Sequence, residues 1–268
     1  MFSRLLICML LLTGTDALGH EFWIDPEEYQ VETGDPLVAN LRNGQNFEGI
    51  TLAWFDNRFT RFELAQGQAT LPVQGRIGDT PALNTTAPDG GLLVILHETT
   101  PASLTYKEWE KFLKFAEHKD FANAASDHAD AGWPLQGFRE SYTRHAKSLV
   151  AVGDGLGADR AYGLATEFVA LSNPYDPDFD NQMRVRVEYN GAVRPDAQIE
   201  VFDRARDGSV SVTMTRTDGA GIATVPVSPG HTYLFDAVVL RPSAMAGTSD
   251  TAPVWETLWA ALTFAVPD

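Results

Sequence analysis

Short apolar runs separated by Gly, Asn, Asp and Pro dominate the chain between residues 22 and 100, as in Leu37-Val38-Ala39 and Leu92 to Leu96. Such punctuation predicts β-structure. The dipeptide Asn43-Gly44 predicts a hairpin turn. Near Pro101 the period changes. Trp109, Phe112, Leu113 and Ala116 recur at helical spacing, and Thr105 with Glu108 reads as a capping box, with Leu104 and Trp109 as its hydrophobic staple. A second helix is expected over Gln136 to about Val150, with Phe138, Tyr142, His145 and Leu149 along one face. From about residue 181 strict alternation appears. Met183, Val185, Val187 and Tyr189 interleave with Arg184, Arg186 and Glu188, and Asn190-Gly191 turns the chain. Further strands flank Asp218-Gly219. The pattern predicts a mainly β protein. A β-sandwich-like N-terminal domain over 20–175 carries a helical insert at about 102–150, and a small Ig-like β-sandwich follows over 176–268. The boundary is expected in "SNPYDPDFDN", a stretch rich in Pro and Asp.

The front end has a different grammar. Arg4 precedes the apolar run Leu5 to Leu12, and Ala17-Leu18-Gly19 supplies a small-x-small cut. These are the parts of a secretory signal over residues 1–19, with cleavage after Gly19. The run is too short to span a membrane. A periplasmic or secreted protein is therefore expected. Its only cysteine, Cys8, leaves with the signal, so no internal disulfide is available.

Composition narrows the partners. With a formal charge of −16 the chain is a poor match for nucleic acid. At 44% hydrophobic residues it can bury a core. Catalytic signatures are absent: no GxSxG, no phosphate-binding GxxxxGK[ST] and no nucleophilic cysteine in the mature chain. No enzyme is expected.

The candidate chemistry begins at His20. Once cleavage has freed it, this residue offers an α-amine and an imidazole Nδ1 to one ion. With a second histidine the set becomes T-shaped and suits Cu(II) or Ni(II). The amine's ordinary pKa of about 7.7–8.0 makes its deprotonation cheap near neutrality. His97, after "LLVIL", and His145 are equal candidates for the partner. His118 and His128, beside Glu117, Asp127 and Asp130, read as a solvated helix-loop-helix tip or a weak cation site.

Six stretches together extend the reading: "HEFWIDPEEY" at 20–29, "GRIGDTPAL" at 75–83, "RESYTRHAKSLV" at 139–150, "LSNPYDP" at 171–177, "RTDGAGIATVPV" at 216–227 and "WETLWAALTF" at 255–264. In their order the chain resembles an uncharacterised exported family, a domain of unknown function grouped with the NikM-like periplasmic component of nickel/cobalt uptake systems. The resemblance implies binding of a divalent ion (nickel, cobalt or copper) and an inner- or outer-membrane metal transporter as partner. The rival expectation is an Ig-like adaptor that binds an envelope transporter without metal. One departure stands out: amino-terminal nickel or copper motifs often place histidine second or third, whereas His20 would be first.

Overall fold

The structure, a computed structural model, describes residues 19–268, so the expected signal peptide lies outside the described residues except for Gly19. The protein is mainly β, with two α-helices among the described residues. A ten-stranded sheet forms the middle layer. Its path runs Val210–Arg216, Gln198–Arg204, Thr232–Pro242, Trp255–Ala265, Phe138–Val152, Gly91–Thr99, Phe59–Gln66 and Ala69–Pro72. Four antiparallel strands (Glu21–Pro26, Pro36–Gln45, Glu48–Leu52 and Leu83–Thr86) pack on one face. Thr166–Ala170, Gln182–Tyr189, Ala192–Val193 and Ile222–Pro226 cover the other.

Alternation along the middle strands assigns the two cores. Leu92, Val94 and Leu96 pack with Phe168, Val185 and Val187. Leu93 and Ile95 point the opposite way, to Trp23, Leu37 and Leu83. A third cluster joins Phe112 and Phe115 of the first helix to Phe138, Trp255 and Trp259 of the middle sheet. The expected boundary near residue 175 falls between Thr166–Ala170 and Gln182–Tyr189, which pair with each other. The middle sheet holds strands from both sides of it.

The second expected helix is corrected. Phe138–Val152 is a fifteen-residue strand. Both faces of the sheet are covered there, so residues 145–152 are all buried and the period of two is erased. What remained in the sequence was a set of apolar positions that also fits a helical stripe. The first helix exists as Trp109–His118 and buries Phe112, Phe115 and Ala116, but it starts later than the capping box implied. Thr105 instead pairs with Arg139 in the strand Ala102–Tyr106, and Glu108 makes no side-chain cap. The predicted turn at Asn43-Gly44 also moves. Asn43 pairs with Ile50, and the chain reverses at Asn46 and Phe47, whose φ values of 52° and 62° suit a two-residue hairpin turn. Gly44 and Gly49 allow the strands to approach: a Cβ on Gly44 would lie 1.9 Å from the Glu48 carbonyl oxygen. At Asn190-Gly191 the turn sits where alternation placed it, closed by the Tyr189–Ala192 pair.

A buried lysine fastens the loop that follows the long strand. Lys147 Nζ donates to Asp159 Oδ2 at 2.7 Å and to the carbonyls of Phe168 and Arg160 at 2.8 and 3.0 Å. Glu167 nearby accepts the backbone N–H groups of Tyr162, Gly163 and Leu164. Removing one partner of a buried ion pair strands the other charge. Lys147→Met is therefore expected to lower stability by about 3–5 kcal/mol, read as a fall in the urea midpoint.

Candidate functional site

The strand Glu21–Pro26 starts at the rim of a cleft of about 430 Å³. His20 is exposed and lines this cleft, with Tyr106, Tyr142, Arg144 and Trp259 among its walls. Gly19 rests on the Trp259 ring so closely that a Cβ there would lie 2.6 Å from it. Arg144 holds the rim in shape. Its guanidinium donates to the His20 carbonyl at 2.8 Å and to Asn43 Oδ1 at 2.8 Å, and it lies 4.9 Å from the centre of the Tyr142 ring.

A relay of hydroxyls sets the back wall. Trp259 Nε1 donates to Thr257 at 3.1 Å, Thr257 donates to Glu140 at 2.6 Å, and the Tyr106 hydroxyl donates to the same carboxyl at 3.0 Å. Burial pushes the Glu140 carboxyl up to about 7. Behind the aromatic wall sits a cluster of buried charges. Lys119 Nζ lies 2.7 Å from Glu200, 2.9 Å from Asp236 and 3.8 Å from Glu21, and 4.7 Å from the centre of the Trp259 ring. Glu21 is pushed up to about 8, first by burial and then by the neighbouring Asp236. The neighbour of the candidate ligand is thus tied into the core, and His20 stays exposed immediately before the strand begins.

The three candidate histidines do not converge. His97 sits on the face of the middle sheet that packs against the first sheet, its ring 5.0 Å from that of Phe22 and 5.0 Å from that of Phe62. Burial pulls it down to about 3. His145 points to the opposite face, as Leu149 does, whereas Tyr142 turns toward the cleft. Its Nδ1 lies 3.2 Å from the Trp259 carbonyl oxygen, and burial pulls it down to about 4. The three-histidine set therefore does not fit one ion. Among the described residues no group of three or more His, Cys, Asp or Glu side chains is placed to hold a metal.

His128 is also corrected. It is fully buried, accepts a hydrogen bond from Trp255 Nε1 at 3.0 Å and packs against Trp109 and Phe138, so it is no part of a solvated tip. The sequence reading missed Arg144, Glu140 and the Lys119 cluster. Charged residues scattered at 21, 119, 200 and 236 carry no spacing signal, because only the fold brings them together.

Comparison with known proteins places the chain at this point. A family model described as a domain of unknown function, DUF4198, matches residues 17–241. The chain belongs to that family. No curated protein matches it. Among solved structures it is similar to the D0-D1 domain of intimin at 13% identity, covering 90% of this chain and 97% of that one with a TM-score of 0.22. It is also similar to a tetra-tandem repeat in the extending region of a large adhesion protein, at 12% identity, covering 91% and 49% with a TM-score of 0.19.

Glu140 makes the region pH-sensitive. Its folded-state value lies above the ordinary 4.5, so its contribution to stability is full below about 4.5 and is lost as pH rises through about 7. Thermal unfolding midpoints measured across that window should fall with rising pH, and Glu140→Gln should flatten that part of the slope.

Proposed function

We propose that this member of the DUF4198 family is an exported, periplasmic binding protein for a divalent transition metal (nickel, cobalt or copper) that supports uptake or handling of the ion. The observation that carries the reading is the position of His20: of the three candidate histidines it alone is exposed, at the rim of a cleft, with its carbonyl held by Arg144. After cleavage at Gly19 its α-amine and Nδ1 close a chelate ring on one ion. A nitrogen pair of this kind suits Cu(II) and Ni(II). The remaining positions go to water or to a small co-ligand carried in with the ion, since His97 and His145 are sealed in the core. The resemblance of the chain to NikM-like uptake components supports a membrane metal transporter as partner.

The adaptor reading keeps one observation of its own. Val210–Arg216 lies at an edge of the middle sheet, with Val212 and Met214 exposed. Such an edge can accept a strand from another protein.

One extra residue before His20 separates the two readings, because it abolishes the chelating amine and leaves the edge untouched. Native mass spectrometry and Cu(II) electron paramagnetic resonance should find one tightly held ion on protein beginning at His20. The extended protein should bind at least about a hundredfold more weakly, the loss expected for one strong ligand bond. Equal binding by both, or no binding by either, would remove the amino-terminal site and leave the adaptor.

A further inference from the structure

A second cavity, of about 380 Å³, opens on the other side of the wall formed by Asn43, Tyr142 and Arg144. Its lining is apolar in the main, with Phe22, Leu41, Leu52 and Phe59 around it and Phe55 exposed at its mouth. The volume falls within the range of small-molecule sites. Of the lining side chains, the one that is both fully buried and polar is His97. It is 2% exposed, and neither of its ring nitrogens has a hydrogen-bond partner.

Buried polar groups are normally paired, and an unpaired one is costly. His97 presents both halves of the problem, because a neutral imidazole carries one N–H donor and one lone-pair acceptor. Burial among three phenylalanine rings holds it in that neutral form. A phenylalanine in its place would complete the aromatic cluster without an orphan. The histidine is therefore suited to something other than packing.

We propose that this cavity binds a small uncharged aromatic alcohol, its ring packed against Phe22, Phe59 and Leu52 and its hydroxyl hydrogen-bonded to His97. Flat rings on the walls favour an aromatic guest in edge-to-face or offset contact. A hydroxyl both donates and accepts, so it satisfies whichever nitrogen it meets. Phe59 is only partly buried, and binding requires its ring to turn so that the guest hydroxyl reaches the imidazole. Two cations also line the cavity: Arg58, exposed at the mouth, and Arg144, whose guanidinium donates to Asn43 and to the His20 carbonyl. This site is independent of the metal reading, since it uses none of the His20 donors.

The test compares para-propylphenol with propylbenzene, which has the same shape without the hydroxyl. The full mature chain is titrated with each and followed by isothermal calorimetry and by the imidazole signals in NMR spectra. The phenol should saturate one site and move the His97 signals, and the hydrocarbon should bind about tenfold more weakly, the worth of one buried hydrogen bond. His97→Phe should abolish the preference between the two. Ala53→Trp, elsewhere in the lining, should block both guests, and it decides the matter if the first variant does not fold. Absence of saturable binding, equal affinity for the two guests, or binding unchanged by Ala53→Trp would overturn the proposal.

Discussion

The parallel pairing of Phe138–Val152 with Trp255–Ala265 is the constraint on which the rest of the structure depends. It runs in register from Glu140–Trp255 to Ser148–Thr263 and joins the two halves of the chain into one sheet. Parallel neighbours need long connections, and here more than a hundred residues lie between them. That intervening chain supplies the small third sheet and three more strands of the middle one. Because the two strands are central, each must be covered on both faces, and the first sheet, the helices and the third sheet are the covers. The cleft arises at the end of this pair, where Trp259, Tyr142 and Arg144 stand side by side and the covering layers stop short.

Covering both faces also traps charge. Lys119 and Lys147 are buried on opposite sides of the sheet, each beside two or more carboxylates. Such pairs do little for net stability, because desolvation offsets the attraction. What they do provide is placement. Lys147 holds the loop after the long strand against the sheet, and Lys119 ties the start of the first strand to the helix and to Asp236 of the middle sheet. His20 is displayed at the rim because the very next side chain is committed to that buried cluster. An acidic chain thus uses two buried lysines to fix backbone, one on each face of the middle sheet, and of the two it is Lys119 that lies behind the cleft wall, 4.7 Å from the centre of the Trp259 ring.

Where one face of a strand meets another layer and the other side stays polar, the pattern was readable. Met183 to Val187 alternates buried with half-buried positions before Glu188 breaks the pattern, and the turn at Asn190-Gly191 lies where the dipeptide placed it. Where both faces are buried, the alternation vanished and Phe138–Val152 took on the look of a helix. The local signals at Thr105 and at Asn43-Gly44 failed for a related reason. Strand pairing to Arg139 and to Ile50 outweighed a cap and a turn that each contribute little on their own. Of the cleft residues, only His20 was singled out in the sequence, through its position after the expected small-x-small cut. Its neighbours were not, because the residues that shape the cleft come from four separated segments of chain.

The sequence by itself determined that the protein is mainly β, with one amphipathic helix near residue 109, and it singled out His20 as a candidate ligand. These readings are local: they rest on period, on turn residues and on the expected cut before His20. Which histidines could share an ion was decided only by the tertiary structure. His97 and His145 stand on strands that pair elsewhere in one sheet, but successive side chains of a strand point to opposite faces, and register alone set which face each would take. The same rule left His97 without a partner beside an apolar cavity and turned Arg144 toward the rim. No reading of spacing reaches such an outcome, because the face a residue occupies depends on the partner strand and on what covers it.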